Sequence, residues 1–135
     1  MTRPKVLLVD DEDLMLHYWI REFLRAGIGT WTAQTGREAA KVLVREQGDF
    51  DAVICDLNMP DGSGVDLFRF IQHEFPGLEN RVVIVTGGAT GRSEMDFLRS
   101  TTNPVMHKPF DFEELTRLVR DWAARRRLRA ESVEN

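Results

Sequence analysis

A chain of 135 residues with 42% apolar content is large enough for one domain with its own core and too short for a second catalytic unit beside it. Acidic residues outnumber basic ones by 22 to 18, and the resulting net charge of −4 argues against nucleic acid as the ligand of this domain. The single cysteine, Cys55, excludes an internal disulfide and any multi-cysteine zinc site and fits the cytoplasm, while the aliphatic runs Val6-Leu7-Leu8-Val9 and Val82-Val83-Ile84-Val85 are too short to insert in a membrane or to form a signal-peptide core.

In chain order, the first run, 5–10, is an apolar strand that closes on Asp10 and Asp11. A helical period over 13–26 follows, then a strand at 30–34 and a helix at 36–47, where Thr35 and Glu38 have the spacing of a capping box. The third strand, 51–56, ends on Asp56 and leads through a loop to a helix at 64–75. The fourth, 81–86, ends on Thr86 and is followed by glycines at 87, 88 and 91 and a weakly apolar helix at 92–100. The fifth strand, 104–107, runs into Lys108, and Asp111 with Glu114 repeats the capping-box spacing at the start of a helix over 111–127. In that helix Phe112, Leu115, Leu118, Val119 and Trp122 form one apolar stripe. Strands alternating with helices in this way predict an α/β fold, (βα)5, with a parallel sheet covered on both faces. The division expected is one domain over 1–127 and a polar tail over 128–135. Arg125, Arg126, Arg127 and Arg129 read as a solvated helix end that meets the helix dipole.

Open α/β sheets place ligands at the carboxyl ends of their strands, so the polar residues found there carry the functional signal. Asp10, Asp11, Asp56, Thr86 and Lys108 all fall on that rim. Taken singly, each is an ordinary turn, cap or edge residue. Together, three carboxylates against one ammonium leave two negative charges, which a divalent cation cancels, and an all-oxygen donor set suits Mg²⁺. With such an ion, one carboxylate can attack phosphorus while the lysine and the metal neutralise the transferred group. Asp56 stands alone on its strand and is the candidate nucleophile; Asp10 and Asp11 are placed to hold the ion, and Thr86 can bind a phosphoryl oxygen and draw its loop inward.

From Val6 to about Val119 the residues resemble the receiver domain of two-component response regulators. The likeness rests on Val6-Leu7-Leu8-Val9-Asp10-Asp11-Glu12, on 50–64 around Cys55-Asp56-Leu57-Asn58-Met59-Pro60-Asp61-Gly62-Ser63-Gly64, on Val82 to Thr86, and on Lys108-Pro109-Phe110, together with the intervals between them. The resemblance implies a doubly wound, flavodoxin-like sheet of order 2-1-3-4-5. It implies direct Mg²⁺ ligation by Asp11, Asp56 and the backbone carbonyl of Asn58, with Asp10 acting through water, and phosphoryl contacts from Thr86 and Lys108. It also implies a cis peptide at Lys108-Pro109. A histidine kinase or phosphotransfer protein would be the donor, an unnamed protein the downstream partner, and the domain a self-phosphorylating and self-dephosphorylating regulator rather than a turnover enzyme. Thr86-Gly87-Gly88-Ala89 and the 103–110 stretch are similar to receivers carried by hybrid sensor histidine kinases.

Two positions depart from the family pattern. Val105 stands where many members carry an inward-turning Tyr or Phe, so a switch through the 87–91 loop is expected in place of a ring. Gly88 offers no side chain to shield a phosphoryl group from water, so its lifetime is not expected to be unusually long. Two other function classes remain open from the residues alone. A receiver-shaped scaffold without phosphorylation is separated by a phosphodonor assay. A Mg²⁺-dependent phosphohydrolase is disfavoured because Asp56-Leu57-Asn58 lacks the second aspartate that haloacid-dehalogenase-like phosphatases use as acid and base. Cys55 and the three tryptophans read as packing residues, and His17, His73 and His107 as surface or edge residues without ligand spacing.

Overall fold

The computed structural model describes residues 3–61, 63–88 and 91–134. Gly62 of the acidic loop, Ala89 of the glycine-rich loop and Asn135 of the expected tail lie outside the described residues. Five strands, β1 (Lys5–Val9), β2 (Gly29–Ala33), β3 (Ala52–Asp56), β4 (Val82–Thr86) and β5 (Val105–His107), alternate with α1 (Asp13–Arg25), α2 (Gly36–Arg45), α3 (Ser63–Glu74), α4 (Arg92–Ser100) and α5 (Phe112–Glu134). All strand pairs are parallel and the order is β2-β1-β3-β4-β5, the flavodoxin-like arrangement expected.

Strand alternation divides the core into two layers. Leu7, Val9, Val53, Cys55 and Ile84 point to the face covered by Leu43 of α2 and Ile71 of α3. Val6, Leu8, Ile54, Val83 and Val85 point to the other face, where Trp19 and Phe23 of α1 and Leu115 and Val119 of α5 cover them. The α5 stripe read from the sequence is this contact: Phe112, Leu118 and Trp122 pack on the same cluster. The two central strands β3 and β4 are buried at every position, the mark of a sheet with both faces covered. Trp19 is wholly buried and Trp31 stacks edge-on against Phe50 at 5.8 Å, so these rings are packing residues.

Three details differ from the sequence reading. The last helix does not stop at 127 but runs to Glu134, because Leu128 to Glu134 contain neither glycine nor proline to end it. A 3₁₀ turn, Leu78–Arg81, precedes β4; Pro76 and Gly77 end the preceding helix, and Leu78 then drops into the core at 3% exposure. Finally, Arg126 is no solvated helix end. Its guanidinium reaches back across the molecule to Asp51 at 3.2 Å and Asp49 at 2.7 Å.

The start of α2 follows the predicted chemistry, while at α5 the bond of Asp111 goes to the N–H of Glu113 and not to that of Glu114. Thr35 Oγ1 accepts the Glu38 N–H at 3.0 Å, while the Glu38 carboxylate takes the N–H of Gln34 at 2.9 Å. Asp111 Oδ1 accepts the Glu113 N–H at 3.0 Å. Helix α4 buries no residue fully, in keeping with its thin apolar content, although Phe97 meets Phe68 of α3 edge-on at 5.0 Å. No helix among the described residues is long and apolar enough to cross a membrane.

Candidate functional site

The parallel register brings the predicted polar residues to one rim. Asp56 and Thr86 are the last residues of β3 and β4, while Asp10 and Lys108 immediately follow β1 and β5. Backbone bonds carry the ladder one residue past the strand ends: the Asp10 N–H donates to Ala33 at 3.1 Å, the Leu57 N–H to Val85 at 2.8 Å, and the Lys108 N–H to Thr86 at 2.8 Å. These bonds hold the site residues on the rigid sheet. The peptide between Lys108 and Pro109 is cis.

Asp10 and Asp56 are treated alike by their surroundings. Each gives one carboxylate oxygen to its own loop, Asp10 Oδ1 to the Glu12 N–H and Asp56 Oδ1 to the Asn58 N–H, both at 2.9 Å. The other oxygen of each accepts from Lys108 Nζ, at 3.2 Å for Asp10 and 3.3 Å for Asp56. Both carboxylates are almost fully buried, at 0% and 2% exposure, whereas Asp11 beside them is exposed. Burial alone would lower the pKa of Lys108. The charges of Asp56 and Asp10, and the bonds to both, outweigh that, so the ammonium is held above its ordinary value.

One oxygen from each of Asp10, Asp11 and Asp56 lies within 4.8 Å of the others. At an effective dielectric near 20, charges at that separation repel by about 3 kcal/mol per pair. Lys108 contacts only Asp10 and Asp56 and leaves the group two charges negative, which a hard divalent cation among the three carboxylates neutralises. The donor set therefore fits Mg²⁺: all oxygen, mostly anionic, and open to solvent on the Asp11 side.

Thr86 and Asn58 form the second half of the rim. Asn58 Oδ1 accepts from the Thr86 hydroxyl at 2.7 Å and from the Gly87 N–H at 3.0 Å, while Asn58 Nδ2 donates to the Gly88 carbonyl at 3.0 Å. The Thr86 hydroxyl in turn accepts the Gly88 N–H at 3.0 Å. Sequence reasoning gave Asn58 only a backbone role. The signal that would have revealed the side chain is its type, since a carboxamide two residues past Asp56 supplies donor and acceptor together where an aspartate supplies neither N–H. Val105, at the position of the family's aromatic, is half-buried and packs against the same core layer as Phe97 and Leu98.

The chain matches the family model described as the response regulator receiver domain over residues 6–120. It belongs to that family. This receiver domain is 34% identical over 124 residues to the response regulator protein PilR of Pseudomonas aeruginosa, covering 88% of this chain and 26% of PilR. It is 24% identical over 115 residues to the aerobic respiration control sensor protein ArcB of Escherichia coli, covering 85% of this chain and 14% of ArcB. Among solved structures, a response regulator receiver domain protein from Clostridium thermocellum superposes with a TM-score of 0.79 at 25% identity, over 93% of this chain and 98% of that one. The chain thus spans about a quarter or less of these two curated relatives.

Proposed function

We propose that this receiver domain accepts a phosphoryl group on Asp56 from the phosphohistidine of a histidine kinase or phosphotransfer protein, in a Mg²⁺-dependent step, and that the change is read by a protein partner at the 87–91 loop. The observation that supports this most is the shared geometry of Lys108, bridging Asp56 and Asp10 beside the exposed Asp11. In the transfer, a carboxylate oxygen of Asp56 bonds to phosphorus as the N–P bond of the donor breaks, and the imidazole leaves with the bonding pair.

Asp10, Asp11 and Asp56 would hold Mg²⁺, with the Asn58 carbonyl, and the ion would supply charge neutralisation for the transferred oxygens. Lys108 stands at the same carboxylate oxygen and neutralises from the other side. The Thr86 hydroxyl, now given to Asn58, is the group placed to turn toward a phosphoryl oxygen; doing so gives up its bond to Asn58 and alters the clasp on Gly87 and Gly88. Gly88 is exposed and leaves water a path to the site, so we expect a phosphoryl lifetime that is not unusually long. The likeness to ArcB, a relative named as a sensor protein, supports a place in a phosphorelay, including as the receiver of a hybrid kinase. The cytoplasm is the expected compartment.

Incubation with acetyl phosphate and Mg²⁺, read by intact mass, tests the proposal. One added phosphoryl group is expected, lost in Asp56→Asn and on chelation of the metal. A protein unmodified by small donors and by a phosphorylated histidine donor would instead be a receiver-shaped scaffold, and steady turnover of a phosphate ester would make it an enzyme.

A further inference from the structure

At the opposite edge of the sheet from Asp56, a cavity of ≈ 220 Å³ opens between the 3₁₀ turn and the last helix, lined by Arg81, Arg125, Arg126, Arg129, Trp122 and Asn80. Trp122, Arg125, Arg126 and Arg129 repeat at helical spacing, so α5 presents them on one face. Arg81 enters from the other wall, one strand length from Thr86, roughly 17 Å for five residues.

Two of the four guanidinium groups are already matched. Arg125 pairs with Asp121 at 3.1 Å, and Arg126 with Asp49 and Asp51. The other two have no ion-pair partner among the described residues. Arg81 spends its Nε and one Nη on the Phe50 carbonyl, at 3.3 and 3.1 Å, and Arg129 is exposed. Burial pushes the Arg81 guanidinium below its ordinary value and the neighbouring Arg126 pushes it further, with Arg129 adding to this against the pull of Asp51 and Asp49. The pocket thus holds fixed positive charge that the protein itself leaves partly uncompensated. Its walls are also preorganised: Arg81 is pinned on a carbonyl and Arg126 on two carboxylates, so little side-chain freedom remains to be lost on binding.

We propose that this arginine pocket, where Arg81 from the 3₁₀ turn and Arg125 and Arg129 from α5 line one cavity with Trp122, binds the phosphate group of a small phosphorylated molecule. Guanidinium forks match phosphate oxygens in pairs, and a phosphate monoester presents three acceptor oxygens in one group to arginines on two walls, which a carboxylate does not. The site is separate from Asp56 and independent of the reading given to it.

The test is NMR titration of the full chain in EDTA, so that the carboxylate rim has no metal, with inorganic phosphate, adenosine monophosphate and hexaglutamate in separate arms. Saturable shifts are expected at the Arg81 and Arg129 Nε–H and the Trp122 indole N–H with phosphate. Adenosine monophosphate binding as well as or better than phosphate also supports the site, the second result adding a contact of the base with Trp122. In Arg129→Gln, an exposed position that leaves the fold intact, affinity should fall about tenfold, the loss of one charge-assisted hydrogen bond. Arg129→Lys should recover part of it. Shifts that never saturate, or that are unchanged in Arg129→Gln, would overturn the proposal. So would hexaglutamate binding more tightly than either phosphate compound, which would make the pocket a seat for an acidic peptide.

Discussion

The Thr86 hydroxyl donates to Asn58 Oδ1 at 2.7 Å, and through this bond the β3 loop and the β4 loop hold each other. The same oxygen takes the Gly87 N–H, and the amide nitrogen of Asn58 holds the Gly88 carbonyl. One side chain therefore fixes the position of the residues expected to respond to phosphorylation.

Removing that side chain should loosen the loop without unfolding the domain. For Asn58→Ala we expect faster amide exchange at Gly87 and Gly88 and a stability loss of about 1–3 kcal/mol, since three hydrogen bonds go and the groups left behind are partly solvated. Exchange at both glycines indistinguishable from the unsubstituted protein would show that Asn58 does not restrain them.

Gly64 lies in the first turn of α3, against the back of the phosphoacceptor loop. A Cβ there would come within 3.1 Å of the Asp56 carbonyl oxygen and of the Leu57 Cα and carbonyl oxygen, all backbone atoms that cannot swing aside. Gly64→Ala should accordingly cost about 1–3 kcal/mol in urea unfolding, as overpacking does, and should slow phosphorylation because the Asp56 backbone is displaced. Unaltered stability and an unaltered rate together would refute the close fit.

Much of this site was legible in the sequence because it sits on strand ends. Asp10, Asp56, Thr86 and Lys108 each interrupt or end an apolar run, so the sheet edge that gathers them follows from strand polarity alone. What could not be read is how side chains meet across loops. The Asn58 clasp depends on the 56–58 turn aiming its amide at Thr86, and the link from Arg126 to Asp49 and Asp51 joins segments far apart in the chain. The 3₁₀ turn at Leu78–Arg81 was missed because four residues give no period, and the extension of α5 because its polar composition resembled a tail.

Cys55 turns away from Asp56 into the α2/α3 layer and is 2% exposed. Burial, and then the charges of Asp56 and Asp10, push its thiol up to about 12. A folded-state pKa above the unfolded value keeps its stability contribution intact below the ordinary thiol range and loses it as pH rises toward 12. Urea midpoints measured from pH 8 upward should fall less steeply in Cys55→Ala than in the unsubstituted protein. Native Cys55 should also stay unreactive to Ellman's reagent at pH 8 until urea unfolds the chain; prompt labelling in buffer would contradict the burial.

Mg²⁺ should raise the melting temperature in a concentration-dependent way, because an ion bound only by the folded carboxylate rim stabilises it by mass action. Asp11→Ala removes two of the three carboxylate repulsions, so it should raise the metal-free melting temperature while weakening the Mg²⁺ effect about tenfold or more in concentration. An equal Mg²⁺ response in both proteins would remove Asp11 from the ion's ligands.

Where the phosphoryl group goes can be read chemically, since borohydride reduces an acyl phosphate on aspartate to homoserine while leaving free carboxylates untouched. After acetyl phosphate and Mg²⁺ treatment, peptide mass mapping should find homoserine at position 56 alone. Homoserine at position 10 or 11, or a phosphorylated protein with none at 56, would mean that Asp56 is not the nucleophile.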